Sequence, residues 1–66
     1  MAIARVTKIT ASSTKGFQDA IETGLNRASE TLRGITGLEV LEQKAKVEDG
    51  RITEYRATIE ITFVLD

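Results

Sequence analysis

Residues 47–65 read VEDGRITEYRATIEITFVL. Asp49-Gly50 is a strong two-residue hairpin signal. Beyond it the residues alternate. Tyr55, Ala57, Ile59, Ile61, Phe63 and Leu65 share one side, while Arg56, Thr58, Glu60 and Thr62 share the other, with Val64 as the exception. This period of two predicts a strand over Arg51–Leu65 with one buried face. Leu38–Val47 then reads as its hairpin partner. With Asp49 and Gly50 in the loop, Glu48 lies opposite Arg51. Counting back puts Val40 across from Ile59 and Leu38 across from Ile61, so the apolar faces coincide. The same count sets Gln43 opposite Arg56, Leu41 opposite Thr58 and Glu39 opposite Glu60. A bulge would shift this register by one residue.

Upstream, the period changes. Phe17, Ala20, Ile21, Gly24, Leu25, Ala28, Leu32 and Ile35 recur at steps of three and four, which is the stripe of an amphipathic helix. Ser12-Ser13-Thr14 offers N-cap oxygens and Gly34 a C-cap. Gly24 sits within the apolar stripe, where it costs about 1 kcal/mol against alanine; a close approach of helix to sheet would account for it. Ile3–Thr10 is rich in β-branched residues and reads as a first strand. The fold class is therefore α+β: a β-α-β-β chain whose three-stranded antiparallel sheet partly wraps around one helix, with residues 1–66 as one domain.

The chain has 66 residues, no cysteine and no histidine, and a formal net charge of −1. Disulfides are excluded, and a zinc or copper site is disfavoured. The charge balance offers no footprint for nucleic acid. No apolar run is long enough to span a membrane, and Met1-Ala2-Ile3-Ala4-Arg5 lacks the pattern of a signal peptide, so a soluble cytoplasmic protein is expected. Without histidine, cysteine or an N-terminal proline, most general bases, nucleophiles and tautomerase mechanisms are missing, and no enzyme is expected. A domain this short buries only about 60% of its unfolded surface. A helix of about 20 residues covers about 30 Å, whereas strands of about 14 residues reach about 46 Å. The overhang and the open sheet edges both call for other subunits.

The order of these segments carries a resemblance. A strand, a Ser/Thr-rich helix start, a helix with Ala28 and Leu32, Leu38-Glu39-Val40, the Asp-Gly hairpin, Glu54-Tyr55-Arg56 and the terminal Phe63-Val64-Leu65-Asp66 together resemble the dodecin family over essentially the whole chain. The resemblance implies a homododecameric hollow sphere. It also implies binding of a flavin, riboflavin or FMN, for storage or buffering and not for catalysis. In flavin-binding members a tryptophan before the second strand stacks on the ring, and a third-strand glutamine bonds its edge. Gly37 and Arg56 stand at those two positions here. Gly37 offers no stacking surface, and Arg56 donates hydrogen bonds without accepting any. Flavin binding is therefore expected to be weakened.

Gly37, Arg56, Gln43 and Lys46 are the candidate ligand-binding residues. Arg56 suits an anionic group, although cross-strand pairing with Gln43 would occupy it equally. Gly37 could open a pocket or merely ease the helix-to-strand turn. Lys46, with Lys44, could hold the phosphates of a nucleotide-like ligand such as coenzyme A or FMN; the plainer role is a lysine-protected strand edge. Glu39 and Glu60, if opposed, are candidate ligands for calcium or magnesium, with Arg5 or Lys8 as the competing neighbour. The alternative to a flavin-binding shell is thus one that holds cations or serves a structural role.

Overall fold

The computed structural model describes residues 3–65. Its elements run β1 (Ile3–Ser13), α1 (Phe17–Ser29), β2 (Ile35–Glu48) and β3 (Arg51–Leu65). The sheet is three-stranded and antiparallel in the order β1-β3-β2. The most regularly alternating strand is thus the central one, with a neighbour on both edges. Asp49 and Gly50 form the turn at φ 52° and 75°, which are the positive angles a tight hairpin of matching twist requires.

The helix is shorter than its apolar stripe suggests, at 13 residues. Two local reasons account for this. At the N-terminal end β1 continues to Ser13, so Ser12, Ser13 and Thr14 do not cap the helix, and Gly16 is the N-cap. Ser13 still supports the first turn: its Oγ accepts from the Lys15 backbone N–H at 2.9 Å and donates to Asp19 Oδ2 at 2.5 Å. At the C-terminal end Glu30 is the C-cap, and the Thr31 and Leu32 N–H groups both bond to the Ala28 carbonyl, at 3.1 and 2.8 Å. Gly34 therefore lies beyond the helix, at φ 74°, where its carbonyl accepts from the Val64 N–H at 3.0 Å. Leu32 and Ile35 leave the helix yet still pack on the core, which is why the stripe runs past the element.

The core is small. Its buried hydrophobic side chains, among the described residues, are Ala20, Ala28, Ala57, Ile59 and Ile61. Ala20, Gly24 and Ala28 line the buried helix face at four-residue steps. Small residues there let the helix lie close on Ile59 and Ile61, in place of the bulky interdigitation that larger helices use. At the hairpin end Phe17 and Tyr55 meet edge to face, with ring centroids 5.1 Å apart.

The hairpin register departs from a simple count. Glu48↔Arg51 and the run from Gly37↔Thr62 to Val40↔Ile59 agree with it, including Glu39↔Glu60. Between them the pairing is shifted by one, so Lys44, not Gln43, faces Arg56, and Glu42, not Leu41, faces Thr58. Thr53 is an extra residue on β3 and Leu41 an extra residue on β2, and the two offset each other. The Leu41 bulge falls where Val40-Leu41 breaks the alternation. It turns Glu42, Lys44 and Lys46 to the polar face of the sheet and lets Ala45 pair with Tyr55 on the helix face.

The molecule spans 52 Å in its longest direction, whereas a 13-residue helix covers only about 20 Å. The hairpin end is therefore bare. Val47 is 60% exposed and its cross-strand partner Ile52 is 51% exposed.

Candidate functional site

Side chains of β3 alternate about the sheet, so Arg56, Thr58, Glu60 and Thr62 point away from the buried Ala57, Ile59 and Ile61. The two registers arrange this outer face in rows across three strands. Lys8, Glu60 and Glu39 form one row; Thr10, Thr58 and Glu42 form the next; Ser12, Arg56 and Lys44 form the third. Two neighbouring β3–β2 pairs are therefore like-charged, with Glu39 against Glu60 and Lys44 against Arg56. Directly opposed like charges are unfavourable on a sheet.

Each cation of the basic row leans on an acid of its own strand. Lys44 Nζ lies 3.5 Å from Glu42 Oε1, and Arg56 Nε lies 2.5 Å from Glu54 Oε1. Both pairs are largely exposed and contribute at most about 1 kcal/mol each. Thr10, Glu42, Lys44, Arg56 and Thr58 line a shallow recess of about 230 Å³. The Thr10 and Thr58 hydroxyls bond across it at 3.0 Å. The chemistry on offer is two cationic donor groups, two hydroxyls and one carboxylate, suited to a polar or anionic group and not to a purely apolar one.

The expected ligand residues are not all together. Arg56 belongs to the recess, and Lys46 stands one position further, beside Glu54 on the same face. Gln43 pairs with Ala57 and so lies on the helix face, away from Arg56. Gly37 shares the outer face, but its partner Thr62 is six residues from Arg56, about 20 Å along the strand. A Cβ at Gly37 would meet nothing nearer than the Thr62 Cβ, at 4.0 Å, and its φ is not positive. The position is open, and a turn does not require glycine there. Glu39 and Glu60 are direct partners, and Lys8 stands on the other side of Glu60. Among the described residues no group of three or more possible metal ligands assembles within the chain. Thr10 and Thr58 are set in the recess by the unbroken β1–β3 register, whereas Glu42 enters it only because of the Leu41 bulge. The adjacent apolar pair Val40-Leu41 is the one signal for it in the sequence.

No described helix is long and apolar enough to cross a membrane. The family model for dodecin matches residues 3–66. No curated protein matches the chain. Among solved structures, a dodecin from Streptomyces davaonensis is 38% identical, with a TM-score of 0.92, covering 98% of this chain and 96% of that one. A dodecin from Streptomyces coelicolor is 29% identical, with a TM-score of 0.93 and coverage of 98% and 93%. The calcium dodecin of Mycobacterium tuberculosis, described as calcium-chelating with a novel calcium-binding site, is 26% identical, with a TM-score of 0.83 and coverage of 97% and 91%.

Proposed function

The chain belongs to the dodecin family, and we propose that it is one subunit of a hollow cytoplasmic homododecamer, a single domain over residues 1–66, that binds and stores a small ligand. Dodecins are binding proteins and not enzymes. The observation that carries the assembly is the mismatch between core and surface. The chain buries few apolar side chains, while Val6, Val47 and Ile52 are each more than half exposed. A 66-residue chain with so small a core gains the missing burial from its neighbours.

The ligand is a flavin, riboflavin or FMN, held more weakly than a tryptophan-bearing site would hold it. The open position at Gly37 leaves room for a ring without stacking on it. Arg56 and Lys46 lie at least about 20 Å from Gly37 within one chain, so they supply cationic donors for a phosphate or a ring carbonyl only from a neighbouring subunit. Native mass spectrometry of protein purified without added ligand tests this directly. Twelve chains carrying excess mass equal to flavin support it, and a monomer overturns it. A bare dodecamer that takes up no added riboflavin or FMN retains the shell and removes the flavin.

A second reading rests on the Glu39–Glu60 pair. Two opposed carboxylates are relieved by a hard cation with oxygen ligands, and the Mycobacterium tuberculosis relative is calcium-chelating. In this reading the shell holds calcium or magnesium, and further ligands come from neighbouring subunits.

A further inference from the structure

The two bulges of the hairpin sit on opposite strands and cancel. Thr53 is the extra residue on β3 and Leu41 the extra residue on β2, so Glu42–Lys46 is displaced by one position against Glu54–Thr58 while the pairing on both sides follows the simple count. Sliding that segment by one residue removes both bulges together. Leu41 then pairs with Thr58 and Lys46 with Thr53, and the ladder runs unbroken between Val40↔Ile59 and Glu48↔Arg51. We infer that Glu42–Lys46 is a register switch: it exchanges between the bulged and the continuous register, and an anion held by Lys44 and Arg56 selects the bulged one. The inference rests on the reading of the outer face as a ligand site and adds the regulation of that site.

Burial does little to choose between the two registers. A one-residue slip is strongly disfavoured where one face of a strand is buried, because it carries apolar side chains into water. Every residue of β2 from Glu39 to Glu48 is exposed. The residue opposite the buried Ala57 is polar in both registers, Gln43 in the bulged one and Glu42 in the continuous one. Opposite Tyr55, Lys44 replaces Ala45, and its methylene stem can lie along the ring with the ammonium in water. Charge favours the slip: the bulged register opposes Lys44 to Arg56, which is unfavourable, whereas the continuous one gives Arg56 the neutral Gln43. A hydrogen bond resists it, from the Thr53 hydroxyl to the Lys46 carbonyl at 3.3 Å. Only the bulged register brings Lys44 into the recess with Arg56, Thr10 and Thr58. An anion there turns the repulsion of the two cations into charge-assisted hydrogen bonds. Its affinity therefore differs between the registers, which is the condition for a ligand to shift the population.

The chain has no cysteine, so an introduced disulfide reports the register. In the continuous register positions 45 and 54 oppose each other, at a non-hydrogen-bonded place counted from Glu48↔Arg51, with Cα atoms about 4.5 Å apart. In the bulged register Ala45 pairs with Tyr55 and Glu54 with Lys46, so side chains 45 and 54 lie on opposite faces and cannot be bridged without moving the backbone. Full-length Ala45→Cys/Glu54→Cys therefore reports the continuous register, and Lys46→Cys/Glu54→Cys the bulged one. Both keep Lys44 and Arg56. Each is incubated in glutathione buffer, where oxidised glutathione is reduced as the two thiols join. Mass spectrometry reads the initial rate of bonding within a chain, and a non-reducing gel separates bonding between chains. The 45–54 bond is expected to form, and to form at least about fivefold more slowly in excess inorganic phosphate than in chloride of the same ionic strength. Adding Thr53→Val removes the hydroxyl that holds Lys46 and is expected to speed it about fivefold. A 45–54 pair that stays reduced while 46–54 closes, or a rate that phosphate leaves unchanged, overturns the switch. Amide hydrogen exchange of the wild type guards against misfolded variants: exchange at Glu42–Lys46 is expected to slow in phosphate while that at Ala57–Ile61 does not, and an unchanged pattern also overturns the switch. Uptake of FMN by the wild type is read separately, so a chain that binds no flavin but responds to phosphate loses the flavin reading and keeps the switch.

Discussion

Gly24 brings α1 against Ala11 of β1 so closely that a Cβ on the glycine would stand 3.1 Å from the Ala11 Cβ and 3.3 Å from Ile59 Cδ1. Replacing glycine by alanine in a helix interior ordinarily gains about 1 kcal/mol. Here the added methyl meets another methyl fixed to a strand, which cannot rotate away. Overpacking of this kind costs about 1–3 kcal/mol. Gly24→Ala is therefore expected to destabilise the protein by about 1 kcal/mol. Urea unfolding checks it, and a rise in the midpoint would show that helix and sheet separate more easily than this contact implies.

Gly34 is constrained in a different way. Its φ of 74° is unfavourable for a side chain, and a Cβ there would come within 2.9 Å of the Val64 carbonyl oxygen. The same residue accepts the Val64 N–H. Gly34→Ala combines left-handed strain of about 1–2 kcal/mol with pressure on that bond. A loss of about 2 kcal/mol or more is expected, together with a lower melting temperature. Gly50 has a similar φ, 75°, but nothing within 4 Å of its would-be Cβ, so Gly50→Ala is expected to cost about 1 kcal/mol from the backbone alone. If the two substitutions cost the same, the clash at Val64 is not a real constraint.

What can be read from the sequence follows from these local forces. The alternation after Tyr55 and the Asp-Gly turn place β3, its partner strand and the apolar register, because a buried face and a two-residue loop leave little freedom. The helix ends are hidden because Leu32 and Ile35 keep to the apolar stripe after the backbone has left the helix. Serines that look like caps belong instead to the end of β1. The recess around Arg56 depends on a bulge at Leu41, and a bulge moves each following side chain to the other face. That single extra residue takes Gln43 out of the site and brings Glu42 in.

Glu60 discriminates between the two ligand readings. Its neighbours across the sheet are Glu39 on one side and Lys8 on the other. A lysine in register already offsets part of the carboxylate charge, and a cation has only two carboxylates to bind from one chain. The melting temperature in millimolar calcium is therefore expected to equal that in EDTA. A calcium-dependent rise that disappears in Glu60→Gln would establish the cation reading instead. Thermal melts of both proteins under both conditions are sufficient.

Gly37 offers the most direct gain-of-function test of the flavin reading. The space over it is open, with Thr62 Cβ at 4.0 Å as the nearest atom to a built Cβ. The backbone there needs no positive φ, so a Cβ is accommodated without backbone strain. Gly37→Trp is expected to leave the melting temperature within a few degrees of the wild type. Its ring adds stacking worth about 0.5–1.5 kcal/mol beyond the area it buries, and the buried area adds more at about 25 cal/mol per Å². Riboflavin should therefore bind at least about tenfold more tightly, read as quenching of flavin fluorescence on titration. Tighter binding to an intact assembly would identify the missing ring as what weakens the natural site. An intact Gly37→Trp assembly that leaves riboflavin fluorescence unquenched would mean that Arg56, or the wider geometry of the outer face, rejects the flavin for a reason other than lost stacking.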